Sequence, residues 1–172
     1  MEKTNLLSIR AAFAAGAAAC ALLLGFGFFL QYVQDQNPCP LCLVQRGFYF
    51  GLLFVFAAGA AHGPKRAGGI VYGVFALLLA GGGAATAGRQ VWLQHLPADQ
   101  VPTCGPDQYY MIDHLPIAKI FANLLRGSGE CAEVTWRFLE LSIAEWSLVW
   151  FVLFGAIAVY AITRPKPQSL FA

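Results

Sequence analysis

Charged residues are scarce in this sequence. Only 12% of its 172 residues are Asp, Glu, Lys or Arg, whereas 58% are hydrophobic, and the mean hydropathy is +0.60. This composition supplies too little polar surface for an ordinary water-soluble domain. The net charge is only +2 and the basic residues are scattered, so the chain lacks the basic stripe that a nucleic-acid partner requires. The composition therefore predicts a membrane protein and excludes nucleic acid as a partner.

Four apolar segments are long enough to cross a bilayer, because about 20 residues at about 1.5 Å each cover a hydrocarbon core of about 30 Å. The first continues ten residues past Cys20, beyond the length of a signal-peptide core, so we expect it to stay as an anchor. These segments predict an all-α integral membrane protein, a four-helix transmembrane bundle in a single membrane domain over residues 1–172. The spans are expected at about 11–30, 43–61, 69–87 and 147–163.

The distribution of Lys and Arg predicts the orientation. One side of the membrane holds six basic residues against one acid, Glu2, and the other holds five basic residues among eight acids. The positive-inside rule places both termini in the cytoplasm and segments 31–42 and 88–146 outside, in an oxidising compartment such as a periplasm. The six basic residues of the inner side are Lys3, Arg10, Lys65, Arg66, Arg164 and Lys166.

Four of the five cysteines lie in the two outward segments. Cys39 and Cys42 form a Cys-x-x-Cys motif, which in an oxidising compartment is typical of an easily reduced redox couple. A bridge between Cys104 and Cys131 would close about 28 residues and could be a structural staple. Its exposed, Pro- and Gly-rich flanks favour a labile bridge instead. The sequence predicts two redox pairs facing one compartment, whereas Cys20 is expected to be a buried, inert thiol.

The start of the second span is predicted to activate Cys42. If a helix begins near Cys42, the positive end of its dipole stabilises a thiolate there. Arg46 lies four residues further on, hence on the same helical face, and adds a full positive charge. Both effects favour a reactive Cys42 and would stabilise negative charge on a nearby acceptor.

The second outward segment is long enough to form structure of its own. Apolar residues at helical spacing, from Ile117 to Leu124, predict a short helix lying in the membrane interface. Ser142 and Glu145 fit a capping box, which predicts that the last span starts near Ile143. The nearby tryptophans are assigned to an aromatic belt rather than to a cofactor cage; they are Trp136, Trp146 and Trp150.

The motifs together identify a resemblance. Residues 39–46 read Cys-Pro-Leu-Cys-Leu-Val-Gln-Arg and follow one span, residues 89–94 read Arg-Gln-Val-Trp-Leu-Gln, and residues 129–133 read Gly-Glu-Cys-Ala-Glu. With four spans, this combination resembles the DsbB family, the bacterial disulfide bond formation protein B. The resemblance covers almost the whole chain, and the combination is far more specific than a lone Cys-x-x-Cys.

The resemblance implies a quinone reductase of the bacterial inner membrane that reoxidises DsbA, a soluble periplasmic dithiol oxidase with a thioredoxin fold. It implies that reduced DsbA attacks a disulfide of Cys104 and Cys131 and forms a mixed disulfide at Cys104. The electrons would then pass to Cys39 and Cys42. Ubiquinone, with menaquinone as an alternative acceptor, would take them from Cys42 near Arg46. The implied partners are a DsbA-like protein and the quinone pool of the membrane lipid.

The sequence departs from the family in one place. Some members have a histidine near the quinone where this chain offers Gln90 or Val91. We therefore place no histidine in the catalytic set and expect Gln90, with Arg89, to be a quinone neighbour, the alternative being an interfacial polar residue. No metal site is predicted, because Cys104 and Cys131 are too far apart for the ligand spacing of a structural zinc site.

Three other functions stay open at this point. The chain could be a non-enzymatic membrane scaffold whose outward disulfides are permanent staples. It could be a DsbB homologue that serves a different thioredoxin-fold partner. Vitamin K epoxide reductase-like proteins also share four helices and a Cys-x-x-Cys, but they usually place that motif late in the chain, whereas here it follows the first span.

Overall fold

Four long α-helices make up most of the described structure, a computed structural model. Cys104 and the interfacial helix predicted around residues 117–124 lie outside the described residues. The helices are α1 Ile9–Val33, α2 Pro40–His62, α3 Arg66–Gln94 and α4 Ile143–Thr163. The structure describes residues 9–64, 66–97, 99–101, 129–134 and 136–163.

Each of these helices is long and apolar enough to cross a membrane. Their outer surfaces carry large apolar side chains, and Leu22, Phe54 and Leu78 are 74%, 71% and 68% exposed. Such a surface is unfavourable in water but is well solvated by lipid chains. The predicted all-α four-helix membrane fold is therefore confirmed. Each helix is also longer than the apolar segment from which it was predicted.

The helices pack in chain order. α1 packs on α2, α2 on α3 and α3 on α4, whereas α1 and α4 make few contacts. A tight turn joins α2 to α3, where Gly63 has a left-handed φ of 54° and its N–H donates to the Gly59 carbonyl at 3.1 Å. Glycine suits this conformation because it has no Cβ. Since neighbouring helices alternate in direction, the start of α2, the end of α3 and the start of α4 meet at one end of the bundle.

An aromatic core joins α2 to α4 in the middle of the bundle. Tyr49 stacks on Phe151 with ring centroids 4.4 Å apart and an angle of 16° between the rings. The Tyr49 hydroxyl donates to the Ser147 carbonyl at 3.4 Å. Phe56 and Phe154 are buried beside this pair, with centroids 5.7 Å apart. The stacked rings and the buried hydroxyl fix α4 against α2 directly below the cysteine-bearing end.

A short hairpin precedes α4 and was not predicted from the sequence. Its strands are β1, Arg137–Phe138, and β2, Leu141–Ser142, paired antiparallel. The two turn residues, Leu139 and Glu140, have φ values of 51° and 64°. Positive φ at both central positions is the geometry of a type I′ turn, which normally selects Asn or Gly. The indole N–H of Trp146 donates to the Phe138 carbonyl at 3.0 Å and ties the hairpin to α4.

The capping box predicted for α4 is confirmed. The Ser142 hydroxyl accepts from the Glu145 backbone N–H at 3.3 Å, and a Glu145 carboxylate oxygen accepts from the Ser142 backbone N–H at 2.7 Å. The same hydroxyl donates to the side-chain oxygen of Gln94 at 2.8 Å. One serine therefore starts α4 at Ile143 and links this start to the end of α3.

Three consecutive glycines in α3 have different surroundings. A Cβ on Gly83 would overlap the Phe151 ring, and a Cβ on Gly82 would lie 2.6 Å from Phe48. A Cβ on Gly81 would meet nothing within 4 Å. The absence of a side chain at positions 82 and 83 therefore allows α3 to approach α2 and α4 closely.

This difference predicts opposite effects of one added methyl group. Gly83→Ala should lower the free energy of unfolding by about 1–3 kcal/mol, because the Phe151 ring must move. The matched control Gly81→Ala should leave it unchanged or raise it by up to about 1 kcal/mol, since alanine favours helix over glycine. Thermal unfolding of the purified variants in detergent measures both effects. Equal melting temperatures for the two variants would contradict the packing described.

Candidate active site

The start of α2 presents the Cys-x-x-Cys motif. Cys39 is the N-cap residue, Pro40 occupies the first helical position, and the Cys39 sulfur accepts from the backbone N–H of Cys42 at 3.3 Å. Proline suits this position because its φ is helical and no N–H is needed there. Cys42 therefore lies in the first turn, where the helix dipole favours negative charge. The helix begins before Cys42, slightly earlier than the sequence indicated.

Cys131 contacts this helix start from far along the chain. It ends a 3₁₀ turn, Gly129–Cys131, and is fully buried with Cys39, Leu41 and Leu93 in a group that we call the cysteine cluster, against which Cys42 packs. The Cys39 thiol is hydrogen-bonded to Cys131 and to Cys42. These hydrogen bonds, with burial, raise the pKa of the Cys39 thiol and so disfavour its thiolate.

Two buried glutamines contact the cysteine pair. Gln90 is 5% exposed, and its amide nitrogen donates to the sulfurs of Cys39 and Cys42, both at 3.4 Å. Its amide oxygen accepts from the amide nitrogen of Gln45 at 2.8 Å, and Gln45 is 3% exposed. The two side chains thus form a hydrogen-bonded bridge from α2 through α3 to both sulfurs.

Arg46 lies one turn beyond Cys42 and is partly buried. Its guanidinium donates to the Gly27 carbonyl at 2.8 Å and to the side-chain oxygen of Gln31, both on α1. The guanidinium carbon also lies 5.1 Å from the centre of the Phe28 ring. Arg46 therefore links α1 to α2 and holds a full positive charge near the cysteine pair. Glycine at position 27 leaves room for it, since a Cβ there would lie 3.5 Å from the guanidinium.

A cavity of about 520 Å³ opens beside the cysteine pair and is lined mainly by apolar side chains. Its size and lining are typical of a small-molecule site. The polar side chains on its wall include Gln45, Arg46 and Gln90. The aromatic wall includes Phe26, Tyr49, Trp136, Phe138, Trp146 and Trp150.

The three tryptophans that the sequence analysis assigned to an aromatic belt also contribute to the cavity wall. All three line the cavity, and Trp136 lies between Phe26, at 5.5 Å between centroids, and Phe138, at 6.0 Å. The unpredicted hairpin carries Phe138 and so supplies one wall of the cavity. Tryptophan spacing alone does not distinguish the two arrangements, because the hairpin decides where Trp136 points.

The structure brings together most of the residues singled out from the sequence. Cys39, Cys42, Arg46 and Gln90 all line the cavity, and Cys131 contacts Cys39 behind it. Arg89 is absent from the described cavity wall, and its guanidinium lies 4.3 Å from the Trp92 ring.

Sequence reasoning missed two polar partners in this site. Gln31 binds Arg46 and Gln45 binds Gln90. The sequence position of each glutamine was the available signal. Gln31 lies at the polar end of an apolar helix, and Gln45 lies on the helical face of the cysteines. Cys20 is buried in the bundle core, away from the cysteine cluster.

The chain matches the family model described as DsbB, Disulfide bond formation protein DsbB, over residues 9–161. It is 50% identical over 149 residues to the Disulfide bond formation protein B of Hahella chejuensis, covering 86% of this chain and 90% of the relative. Identity to the protein of the same name from Marinobacter nauticus is 46% over 145 residues, covering 84% and 86%. The protein of the same name from Nitrosococcus oceani is 42% identical over 158 residues, covering 92% of this chain and 94% of the relative.

Fold and site define a multi-pass membrane protein with clustered cysteines beside an apolar cavity at one end of a four-helix bundle. The chain belongs to the DsbB family of disulfide bond formation proteins. The resemblance inferred from the sequence motifs is thereby confirmed.

The contact between Cys39 and Cys131 predicts a cross-link. In a reduced Cys42→Ser, Cys104→Ser variant, mild oxidation should join Cys39 to Cys131 within one chain, because their thiols are hydrogen-bonded. Peptide mass spectrometry after proteolysis detects the bond. Cys20 provides an internal control and should stay a free thiol, since it lies in the bundle core. Recovery of Cys39 and Cys131 as free thiols, under conditions that oxidise Cys39 and Cys42 in the parent protein, would contradict the contact.

Proposed function

We propose that this chain is a protein-disulfide:quinone oxidoreductase. It reoxidises a DsbA-like periplasmic dithiol oxidase through Cys104 and Cys131. It passes the electrons through Cys39 and Cys42 to ubiquinone, with menaquinone as an alternative acceptor. The contact of the buried Cys39 with both Cys42 and Cys131 is the observation that carries the proposal.

The first exchange steps follow from this contact. In the resting protein of the proposal, Cys39 is bonded to Cys42 and Cys104 to Cys131. A thiolate of the reduced partner attacks the Cys104 sulfur, forms a mixed disulfide and releases Cys131 as a thiolate. Cys131 then attacks the Cys39 sulfur, with which it is in contact, and Cys42 leaves as a thiolate.

The local electrostatics favour this direction of attack. A thiolate leaves more readily when its negative charge is stabilised. Cys42 lies in the first turn of α2 and one turn from Arg46, whereas hydrogen bonding and burial raise the pKa of the Cys39 thiol. Cys42 is therefore the better leaving group of the pair, and Cys39 is the sulfur that Cys131 attacks.

The remaining steps complete the electron balance. The partner's second thiolate breaks the mixed disulfide, becomes oxidised and releases Cys104. Cys104 attacks the Cys131 sulfur of the Cys39–Cys131 bond, which restores its own disulfide and releases Cys39. The partner has lost two electrons and two protons, and Cys39 and Cys42 hold them as a dithiol.

The cavity suits a quinone head group. A flat ring with carbonyl oxygens needs an apolar slot with a few hydrogen-bond donors, and the wall offers aromatic side chains with Gln45, Arg46 and Gln90. A bound quinone would accept two electrons and two protons as the Cys39–Cys42 disulfide forms again, giving a quinol. The chain's own residues would orient it, with Arg46 favouring negative charge on that side of the slot.

We also propose the location and orientation of the protein. The chain is a single multi-pass domain of the bacterial inner membrane, with both termini cytoplasmic and the cysteine cluster at the periplasmic side. The excess of Lys and Arg over acids in the sequence around the start of α1, between α2 and α3 and after α4 supports this arrangement. An oxidising compartment is also where disulfides persist.

The relay predicts quinone reduction that depends on both cysteine pairs. Purified protein with ubiquinone and excess reduced DsbA-like partner should convert the quinone to quinol, measured by loss of quinone absorbance. Cys39→Ser and Cys104→Ser should each abolish this conversion, because each removes a sulfur that the relay requires. A parallel assay with menaquinone compares the acceptors. Permanent, unreactive disulfides in the wild-type protein, with quinone confirmed bound, would support a scaffold instead.

A second prediction separates the charge of Arg46 from its helix-linking contacts. Arg46→Met should raise the KM for quinone about tenfold or more, while thiol exchange between partner and protein in the absence of quinone continues. Gln31→Met is the matched control, since it removes one contact of Arg46 and keeps the charge, and it should raise the KM less. Equal KM values for wild type and Arg46→Met would remove Arg46 from the quinone site.

A further inference from the structure

The Gln90 amide is the side-chain group that bridges the two sulfurs of the Cys-x-x-Cys motif. Its nitrogen donates to Cys39 and to Cys42 at 3.4 Å each. Arg46 is the nearest cation on the same helix, and its guanidinium donates to the Gly27 carbonyl and to Gln31. Besides the Cys39 thiol, the direct side-chain donor to the Cys42 sulfur within the described chain is therefore a neutral amide, while the arginine acts through space.

Gln45 determines which end of the Gln90 amide faces the cysteines. An amide group can be turned over, so that either its nitrogen or its oxygen faces a given neighbour. The Gln45 nitrogen donates to the Gln90 oxygen at 2.8 Å, which leaves the Gln90 nitrogen pointing at both sulfurs. The Gln90 oxygen also accepts from the Cys42 thiol, at the longer distance of 3.7 Å. Both side chains are at least 95% buried, so water offers little competition for these hydrogen bonds.

We propose that Gln90 is a catalytic residue that stabilises the reduced Cys39–Cys42 pair by donating to its sulfurs, and that Gln45 is a positioning residue that acts through Gln90. This inference rests on the proposed function and assigns Gln90 to the cysteine pair rather than to the quinone alone. A thiolate gains more than a disulfide sulfur from an N–H donor, since hydrogen bonds to charged groups are the stronger ones. Gln90 and Gln45 together raise the reduction potential of the Cys39–Cys42 disulfide. The disulfide therefore accepts electrons from Cys131 more readily.

A neutral donor suits a redox pair at the membrane surface. A buried carboxylate at position 90 would repel a thiolate, and a buried ammonium would lose its proton readily. An amide keeps its donor at every pH and adds no net charge to the apolar wall. The donor is therefore available at any pH of the periplasm, whatever the protonation state of the cysteines.

The expected effect is a shift in redox equilibrium. Removing a donor to a thiolate should lower the equilibrium constant for reduction of the Cys39–Cys42 disulfide about tenfold, which corresponds to a potential about 30 mV more negative. Gln90→Met removes the amide and keeps the side-chain length. Thr86→Val is the matched control, since Thr86 is buried one turn earlier on α3 and donates to the Gly83 carbonyl of its own helix. Its potential should equal that of the wild type.

The measurement uses the full-length protein in lipid nanodiscs, freed of quinone. The protein is equilibrated in a series of glutathione redox buffers, quenched with acid and alkylated, and the oxidised fraction of each cysteine is read from its peptide by mass spectrometry. Gln90→Leu is measured beside Gln90→Met, so that the misfolding of one variant does not end the test.

A double-mutant cycle tests the dependence of Gln45 on Gln90. Gln45→Met alone should shift the potential in the same direction by a smaller amount, because the Gln90 amide loses its orienting partner. In the Gln90→Met background, Gln45→Met should add nothing, since the group through which it acts is gone. A merely structural contribution would change thermal stability and leave the potential of every variant alike.

The outcomes separate this inference from the proposed function. A lower potential in Gln90→Met and Gln90→Leu, with no further shift in the double variant, supports the inference. A Cys39–Cys42 pair that titrates with the wild-type potential in both Gln90 variants overturns it and leaves the relay intact. Shifts in reduction potential that add in the double variant overturn the positioning role assigned to Gln45. Wild-type cysteines that show no redox titration at all overturn the relay and the inference together.

Discussion

The position at which α2 begins is the constraint on which the rest of the site depends. With Cys39 as N-cap and Pro40 as the first helical residue, Cys42 falls in the first turn, and Gln45 and Arg46 follow about one turn later. A shift of one residue would rotate these side chains by about 100° around the helix axis. The sulfur of Cys39 itself accepts the Cys42 N–H, so the redox motif also supplies the helix cap.

The bundle then brings distant residues to this helix start. Because α3 runs opposite to α2, its last turns place Gln90 and Leu93 beside the cysteines. Ser142 joins the end of α3 to the start of α4, which positions the hairpin and its aromatic side chains over the cavity. The close approach of α3 to its neighbours relies on Gly82 and Gly83, whose missing side chains admit Phe48 and Phe151. A packing defect at Gly82 or Gly83 would thus also change the position of the α3 residues that contact the cysteines.

The sequence predicts the features that follow from a simple, local physical rule. Span length and hydropathy predict the four helices, and the spacing of Ser142 and Glu145 predicts the start of α4, because a capping box is a local interaction. Tertiary packing decides the rest. The hairpin turn at Leu139 and Glu140 carries no turn-forming residue and is held by contacts of its flanks. Likewise, nothing in the local sequence indicates that Gln45 meets Gln90, since the hydrogen bond joins two helices.

The two cysteines of the motif have different surroundings. In the proposed relay, this difference decides which sulfur is attacked and which leaves as the thiolate. Cys39 is buried against Cys131, and its hydrogen bonds and burial disfavour the thiolate. Cys42 is less buried and lies within the first turn of α2, one turn from Arg46. In the proposed relay, negative charge released by exchange therefore collects at the Cys42 sulfur rather than at the Cys39 sulfur, which contacts Cys131. One turn of helix thereby separates the sulfur proposed to exchange with Cys131 from the sulfur proposed to leave as the thiolate.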